Sequence, residues 1–286
     1  MLCAVGDLIE DVVVRLHDGI RRDTDTPSTI VRRRGGSAAN VAYFAAKLTG
    51  KSRFVGCVGN DPLGDSLIAQ LTGHGVMVCG ERHGRTGSIV VIASPNGDRS
   101  MLTDRGSATE LSAWQQSWLE DVDVLHVPLY SFSHDPLATS SYAAVQLAKE
   151  RGLLVSVDLS SVTLIHQIGV DMVKRTLRRL SPDVILATRD EVDAVGTDDW
   201  RELGTQLLVM KNGERPIRVS GDDIAELTFP IDAVEDVVDG TGAGDAFAAA
   251  FLVSMSMGQP LATSVAAGCH LAGRVVRHAG ATLEDE

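Results

Sequence analysis

The sequence predicts an α/β protein with a mostly parallel sheet, helices on both faces of that sheet, and a smaller β sheet beside it. Short apolar runs typical of buried strands alternate with segments of helical spacing over most of the chain. Two regions break this alternation with paired strand-like runs that have no helix between them. The length of 286 residues, 44% of them hydrophobic and 22% charged, suits a globular protein with a substantial core.

The main sheet and its helices are predicted from apolar runs and from residues that favour helix ends. The helix predicted at 37–50 ends at Gly50, and the helix at 61–75 begins with an Asp–Pro pair. The same pair at Asp135–Pro136 predicts another helix start, with the proline in the first helical position. The predicted strands of the main sheet are 2–6, 53–59, 122–127, 153–159, 183–187 and 206–210.

The smaller sheet is predicted from two pairs of strand-like runs, 10–16 with 28–34 and 86–94 with 98–104. The turn signal Pro95–Asn96–Gly97 joins the second pair into a hairpin. We find no internal repeat and no linker-like segment in the sequence. We therefore expect one domain over residues 1–286, with a β lid formed by about 10–34 and 86–104.

Charge and cysteine content exclude several classes of function. The formal net charge of −12 argues against nucleic acid as a partner, because phosphate backbones attract basic surfaces. We interpret the short run Arg32–Arg33–Arg34 as a solvated strand end. The four cysteines form no CxxC pair, so we expect free thiols in a cytoplasmic protein rather than disulfides or a zinc site. No apolar stretch approaches the length of a membrane span, and the N-terminus lacks a signal-peptide pattern.

The stretch VVDGTGAGDAFAAAFL, residues 237–252, crowds three glycines against Asp245 at the start of an alanine-rich segment. Backbone N–H groups that lead into a helix bind anions, and glycine lets a phosphate approach them closely. A carboxylate beside a bound anion is unfavourable unless it has a task, such as accepting a proton from an attacking hydroxyl. From the loop alone, Asp245 is either such a base or a residue that only complements the helix dipole. Walker and Rossmann loops do not fit, because no lysine follows and Phe247 replaces the third glycine.

Several motifs resemble the ribokinase-like (PfkB) family of sugar and nucleoside kinases. The loop Asp239–Asp245, DGTGAGD, is similar to the family's DTxGAGD signature, with Gly240 in place of the usual Thr. The segment 35–42, GGSAANVA, is similar to the second signature, GGxxxNxA. Further agreements follow in the expected order over the whole chain, at 6–11 (GDLIED), 59–64 (GNDPLG), 103–111 (TDRGSATEL) and 211–214 (KNGE). The resemblance implies the ribokinase-like three-layer fold.

The resemblance also implies a set of site residues. Asp245 would be the catalytic base, and Glu191 would organise Mg²⁺ through water, although Thr188 replaces the Asn of the family's NxxE motif. The other implied residues fall into three groups: Thr241, Gly242, Ala243 and Gly244 for the ATP phosphates; Asp11, Gly35, Gly36 and Asn40 for the sugar; and Lys211, Gly213 and Cys269 for the nucleotide.

The implied function is transfer of the γ-phosphoryl group of ATP to a hydroxyl, expected to be primary, of a small sugar. The implied cofactors are ATP and Mg²⁺, with K⁺ as a further cation, and the lid strands of this family often pair between subunits as a homodimer. Neither nucleic acid nor a membrane is expected as a partner. A nucleoside kinase is the alternative, but aromatic residues make up only 4% of the chain and this favours a free sugar. A non-catalytic sugar sensor is the third hypothesis, which the presence of Asp245 disfavours.

Overall fold

The computed structural model of this protein describes residues 1–96, 99–222 and 224–283. Its strands are β1 (Leu2–Val5), β2 (Ile9–Leu16), β3 (Ser28–Gly35), β4 (Ser52–Val58), β5 (Val76–Arg82), β6 (Thr86–Ala93), β7 (Arg99–Gly106), β8 (Val124–Pro128), β9 (Leu154–Asp158), β10 (Val184–Thr188), β11 (Leu207–Lys211), β12 (Ile217–Gly221) and β13 (Ile224–Phe229). Its α-helices are α1 (Ser37–Thr49), α2 (Pro62–Gly73), α3 (Leu137–Glu150), α4 (Val162–Ile168), α5 (Val170–Leu180), α6 (Arg189–Val195), α7 (Ala243–Ser256) and α8 (Leu261–Val275).

The larger sheet has the strand order β13-β12-β11-β10-β9-β8-β1-β4-β5 within the described residues. The strands from β11 to β5 in that order pair in parallel, and β12 and β13 extend the sheet in antiparallel fashion. The carboxyl ends of the parallel strands therefore meet along one edge of the sheet, where ligands bind in open α/β folds.

Helices cover both faces of this sheet, as the apolar strand runs predict. Leu2 and Ala4 of β1 belong to one core cluster, which also contains apolar residues of α1, α2, α7 and α8. Cys3 and Val5 point the other way into a second cluster, which contains residues of α3, α4, α5 and α6. Alternate side chains of one strand thus pack into two different hydrophobic cores, one on each face of the sheet. The predicted three-layer class is confirmed. No helix in the described ranges has both the length and the apolar character to span a membrane.

A second sheet, with the order β3-β2-β6-β7, lies beside the first. The pairs β2–β3 and β6–β7 are antiparallel, and the parallel pairing of β2 with β6 joins them. Of the predicted turn, Gly97 lies outside the described residues, as does Asp98 of the predicted strand 98–104. We refer to these four strands as the second sheet.

The two predicted Asp–Pro helix starts have different outcomes. Asp61 caps α2 as predicted, because its carboxylate accepts a hydrogen bond from the Gly64 N–H at 2.8 Å and Pro62 follows as the first helical residue. At the second start the prediction is wrong in detail. Helix α3 begins at Leu137 rather than at Pro136, and the Asp135 carboxylate accepts hydrogen bonds from the backbone N–H and the hydroxyl of Thr139.

Three strands of the main sheet were not predicted. β5 forms an edge and carries the polar residues Glu81 and Arg82, so it lacks the apolar continuity of a buried parallel strand. β12 and β13 follow β11 without an intervening helix and therefore do not fit the strand–helix alternation.

Candidate active site

Two helices begin at the carboxyl edge of the main sheet, and a glycine with positive φ precedes each of them. Gly36 (φ 98°) precedes α1, and a Cβ there would lie 2.3 Å from the Asp7 carbonyl oxygen. Gly242 (φ 79°) precedes α7, and a Cβ there would lie 2.4 Å from the Cβ of Ala281. Both positions combine a backbone conformation that favours glycine with neighbours that leave no room for a side chain. Glycine thus brings the two helix N-termini close to the surrounding chain.

Asp245 lies in the first turn of α7, and the side chains of α1 hold its carboxylate. The Ser37 hydroxyl donates a hydrogen bond to Oδ1 at 2.7 Å, and the Asn40 amide donates to Oδ2 at 2.9 Å. Protein atoms crowd the carboxylate, although part of the residue still reaches solvent. The loss of hydration raises the pKa of Asp245 to about 7 against the lowering effect of these two hydrogen bonds. Such a pKa suits a group that accepts a proton near neutral pH.

Arg34 sets the orientation of Asn40. The Arg34 guanidinium donates a hydrogen bond to Oδ1 of Asn40, which leaves the amide Nδ2 to donate to Asp245. The same guanidinium donates to the Ala281 carbonyl oxygen at 3.1 Å and lies 4.4 Å above the centre of the Tyr43 ring. The interpretation of the arginine run as a solvated strand end is therefore wrong for Arg34, which is buried, and holds only for the exposed Arg32.

Asp11 and Gly35 form a second contact, on the adjoining strands β2 and β3. A Cβ on Gly35 would lie 2.4 Å from Cγ of Asp11, so the carboxylate rests directly on the backbone of β3. Burial is the largest cause that raises the pKa of Asp11, to about 6, and the neighbouring Asp7 carboxylate adds to the rise. Asp11 therefore carries most of its negative charge at neutral pH, and its oxygens can accept hydrogen bonds from hydroxyl groups.

Lys211 places a buried cation beside the glycine loop. Its Nζ donates a hydrogen bond to the Asp158 carboxylate at 2.6 Å, and a Cβ on Gly244 would lie only 3.4 Å from this nitrogen. Burial acts to lower the pKa of Lys211, but the nearby carboxylates, led by Asp158, Glu191 and then Asp245, raise it overall. The ammonium group is therefore charged and lies next to the amides that open α7.

Glu191 and Thr188 form a capping box at the start of α6. The Thr188 hydroxyl accepts a hydrogen bond from the Glu191 N–H at 3.3 Å, and the Glu191 carboxylate accepts one from the Thr188 N–H at 2.7 Å. Glu191 is buried, and this burial is the main cause that raises its pKa. Thr188 therefore serves as a helix cap, a role that threonine and asparagine both fill.

A cavity of about 760 Å³ opens beside this cluster. Its lining includes Lys211, Gly213, Ala243 and Gly244. The remaining wall is largely apolar and includes Ile217, Phe229, Phe247, Val265 and Cys269. The volume lies in the range of small-molecule and cofactor sites.

The structure brings most of the predicted site residues together. Asp245 contacts Asn40, Asp11 contacts Gly35, and Lys211 and Cys269 line one cavity. Thr241 differs from the rest of its loop, because its N–H and its hydroxyl both donate to the Asp239 carboxylate. Its role towards a phosphate stays a prediction. Among the described residues, no group of three or more His, Cys, Asp or Glu side chains could hold a metal ion alone.

Sequence reasoning missed four residues of this site: Ser37, Arg34, Asp158 and Asp239. Asp158 had a usable signal, because it is a charged residue at the carboxyl end of the apolar strand β9. Ser37 donates to Asp245, which is 208 residues away in the chain. Arg34 joins the nearby Asn40 to Ala281, which is 247 residues away, so no local pattern reveals the full role of either residue.

We predict that Asp245 makes the stability of the protein depend on pH. Because the folded pKa of about 7 exceeds the value near 4 of an unfolded Asp, folding takes up a proton between these pH values. This contribution is present at low pH and is lost as the pH rises through about 7. Relative to Asp245→Asn, the wild type should lose about 1–4 kcal/mol of unfolding free energy between about pH 5 and about pH 8.

Urea denaturation of both proteins at both pH values measures this difference. Burial also raises the pKa values of Asp11 and Glu191, but both proteins contain these residues and their effects cancel. A difference between the two proteins that stays constant with pH would contradict the raised pKa.

Comparison with known proteins agrees with this fold. Fructokinase-2 of Oryza sativa is 29% identical over 245 residues, which cover 79% of this chain and 72% of that protein. The structure of an adenosine kinase from Sinorhizobium meliloti matches with a TM-score of 0.84 and 23% identity over 96% of this chain and 93% of that one. A fructokinase with bound ATP from Xylella fastidiosa matches with a TM-score of 0.83 and 22% identity over 98% and 93%. The model of the pfkB family carbohydrate kinases matches residues 1–286, and this chain therefore belongs to that family.

Proposed function

We propose that this ATP-dependent carbohydrate kinase transfers the γ-phosphoryl group of ATP to a primary hydroxyl of a sugar, with Asp245 as general base. The observation that carries the proposal is the position of Asp245 at the N-terminus of α7, fixed by Ser37 and Asn40 and with a pKa of about 7. A helix that only needed a negative charge for its dipole would be served by an exposed carboxylate. Removing the Asp245 carboxylate from water costs free energy, and this cost favours a catalytic role for the residue.

The cavity beside Lys211 suits ATP. We infer that the adenine lies in its apolar part near Cys269, and that the phosphates face the first amides of α7 at Ala243 and Gly244. Lys211 would add a positive charge at the same point. Gly240 also lines the cavity, and a Cβ there would meet nothing within 4 Å, so the loss of the family's Thr leaves open space rather than strain.

Mg²⁺ fits this site as an ion held by the phosphates and water, with Glu191 as a partner to that water. The ion would neutralise phosphate charge when bound. Glu191 is buried near Asp158 and Lys211, and one of its oxygens also caps α6. The K⁺ ion implied by the resemblance stays a prediction, which activity in potassium compared with sodium salts would test.

The reaction requires little covalent chemistry from the protein. Asp11, Asn40 and the backbone at Gly35 and Gly36 would hold the sugar, and the second sheet would close over it to exclude water. The hydroxyl oxygen forms a bond to the γ-phosphorus as the bond to the β-phosphate oxygen breaks and ADP leaves. The hydroxyl proton passes to the Asp245 carboxylate, and the N-terminus of α7 stabilises the transferring group.

We predict that Asp245→Asn reduces kcat by about 100-fold or more, because an amide keeps the shape of the side chain but cannot accept the proton. Affinity for ATP and for the sugar should stay within a few-fold. Coupled assay of ADP release gives kcat, and calorimetry gives both affinities.

Asp236→Asn is the matched control, because Asp236 lies nearby in the chain and is exposed. It should keep wild-type activity. If Asp245→Asn retains more than about a tenth of kcat, Asp245 is not the base. If the wild type binds sugar and ATP but releases no ADP with any acceptor, the chain is a sensor instead.

A second prediction separates the two roles of Glu191. Glu191→Gln keeps an oxygen that can accept from the Thr188 N–H but removes the negative charge. We expect the Mg²⁺ concentration for half-maximal activity to rise about tenfold, the lower end of the effect of residues that orient metal-bound groups. A Mg²⁺ titration at saturating ATP and sugar measures it. Asp190→Asn changes an exposed acid of the same helix and should titrate like the wild type. Equal titrations for all three proteins would leave Glu191 with its capping role alone.

We further propose a homodimer through the outer face of the second sheet, which is the face opposite to Asp11. Val12, Val14, Ile30, Val90 and Leu102 share this face by register. Ile30 and Leu102 are each 60% exposed, and large apolar side chains grouped on an exposed face often mark a protein–protein interface.

Leu102→Glu should therefore produce a monomer in sedimentation experiments in which the wild type is a dimer, because a charge buried in an apolar interface is costly. Met257→Glu alters a residue that is 63% exposed at the end of α7 and should stay dimeric. A monomeric wild type at every concentration tested would refute the proposal.

A further inference from the structure

Ser37 places a hydroxyl group against the proposed catalytic base. It is the first residue of α1, and its Oγ lies 2.7 Å from Oδ1 of Asp245 in the first turn of α7. This distance is within the range that a hydroxyl nucleophile and its general base require. Ser37 is only half-buried, so the residue is not sealed inside the protein. The contact therefore brings a second function for this serine into question, beyond the support of Asp245.

The surroundings of Asp245 contain the three parts of an activated nucleophile. Such a site needs a nucleophile, a base within hydrogen-bond reach, and a further group that orients the base. Ser37 is in the first position and Asp245 in the second, and the Asn40 amide orients the base by donating to its other oxygen at 2.9 Å. The Arg34 guanidinium in turn holds Asn40. A Ser37 that only stabilised Asp245 would show the same distance but would never carry a phosphate.

The N-termini of α1 and α7 suit the end and the start of a transfer to Ser37. The ATP phosphates are proposed to face the Ala243 and Gly244 amides, and Asp245 follows them in the same turn of α7. Ser37 lies at the N-terminus of α1, where the positive end of a 13-residue helix stabilises a phosphate group. A phosphoryl group that moved from ATP to Ser37 would pass from one helix N-terminus to the other.

We infer that Ser37 is itself a phosphoryl acceptor, so that the protein phosphorylates its own chain when ATP is bound and no sugar is present. The inference rests on the proposed function, because it uses the same base and the same ATP site. The Ser37 oxygen forms a bond to the γ-phosphorus as the bond to the β-phosphate oxygen breaks, and ADP leaves. The hydroxyl proton passes to the Asp245 carboxylate. The product is a phosphoserine beside Asp245, and its bulk and charge would block the approach of a sugar hydroxyl to the base.

Incubation of the protein with Mg²⁺ and γ-labelled ATP, without any sugar, tests this inference. We expect a burst of about one ADP per chain and an equal amount of bound label, because each site contains one such hydroxyl. Peptide mass spectrometry should locate the phosphate on Ser37. The bound label should survive hydroxylamine, which removes phosphate from a carboxylate such as Asp245 but not from a serine.

The variants separate Ser37 from the other hydroxyl groups of the chain. Ser37→Ala should bind no label, and Asp245→Asn should bind label about 100-fold more slowly or less, because it lacks the base. Ser117→Ala is the matched control, because it makes the same chemical change at an exposed serine in another part of the chain, and it should bind label like the wild type. Since the phosphate is located in the wild type, the result does not depend on how well Ser37→Ala folds.

The inference is overturned if a protein that phosphorylates a sugar carries no phosphate on Ser37, or carries it on another residue instead. It is also overturned if hydroxylamine removes the label, or if Asp245→Asn binds label as fast as the wild type. Sugar phosphorylation without self-labelling leaves the proposed function intact. By contrast, a protein that neither labels itself nor releases ADP with any sugar would refute the proposed function and this inference together.

Discussion

The hydrogen bonds from Ser37 and Asn40 to Asp245 join the N-termini of α1 and α7, and the rest of the site is arranged around them. A crowded carboxylate is stable only if donors replace its water. Asn40 can be such a donor only in one amide orientation, which the Arg34 guanidinium enforces from β3. The two glycines that precede the helices let the backbones come close enough for these contacts. The need to replace the lost water of the Asp245 carboxylate therefore accounts for polar residues on β3, α1 and α7.

The charges around Lys211 show how the site can receive an anion despite a chain with a net charge of −12. Asp158, Glu191 and Asp245 all act on this one ammonium group, which already pairs with Asp158. The carboxylates outnumber the ammonium group here, so a nucleotide would enter most readily together with a divalent cation. The amides of α7 and the ammonium of Lys211 supply fixed positive potential at one end of the cavity. Bound cation and protein would thus share the neutralisation of the phosphates.

Sequence reasoning recovered the elements whose causes are local. Buried parallel strands are continuous apolar runs, and the backbone conformation at a helix start can require glycine. Both features can therefore be recognised in the sequence from a few neighbouring residues. Asp245 was predicted from its glycine-rich loop, whereas Asn40 and Asp11 were implied only by the resemblance to the PfkB family. Arg34 and Ser37 could not be assigned in this way, because their partners Ala281 and Asp245 depend on the complete fold. The edge strand β5 was missed because its polar residues interrupt the apolar run. The pair β12–β13 was missed because strand–helix alternation does not describe antiparallel edges.

Two contacts tie the last described residues of the chain to its beginning and to its glycine loop. Arg34 reaches the Ala281 carbonyl oxygen, and the Gly280 N–H donates to the Asp239 carboxylate at 3.1 Å. Contacts between residues so distant in sequence form late, because a long loop must close first. During synthesis, β3 and α1 leave the ribosome long before residues 280–281 exist. The Asn40 amide can therefore gain its full support only after residues 280–281 have been synthesised, and a nascent chain shorter than this would hold a largely built sheet while the surroundings of Asp245 are still unformed.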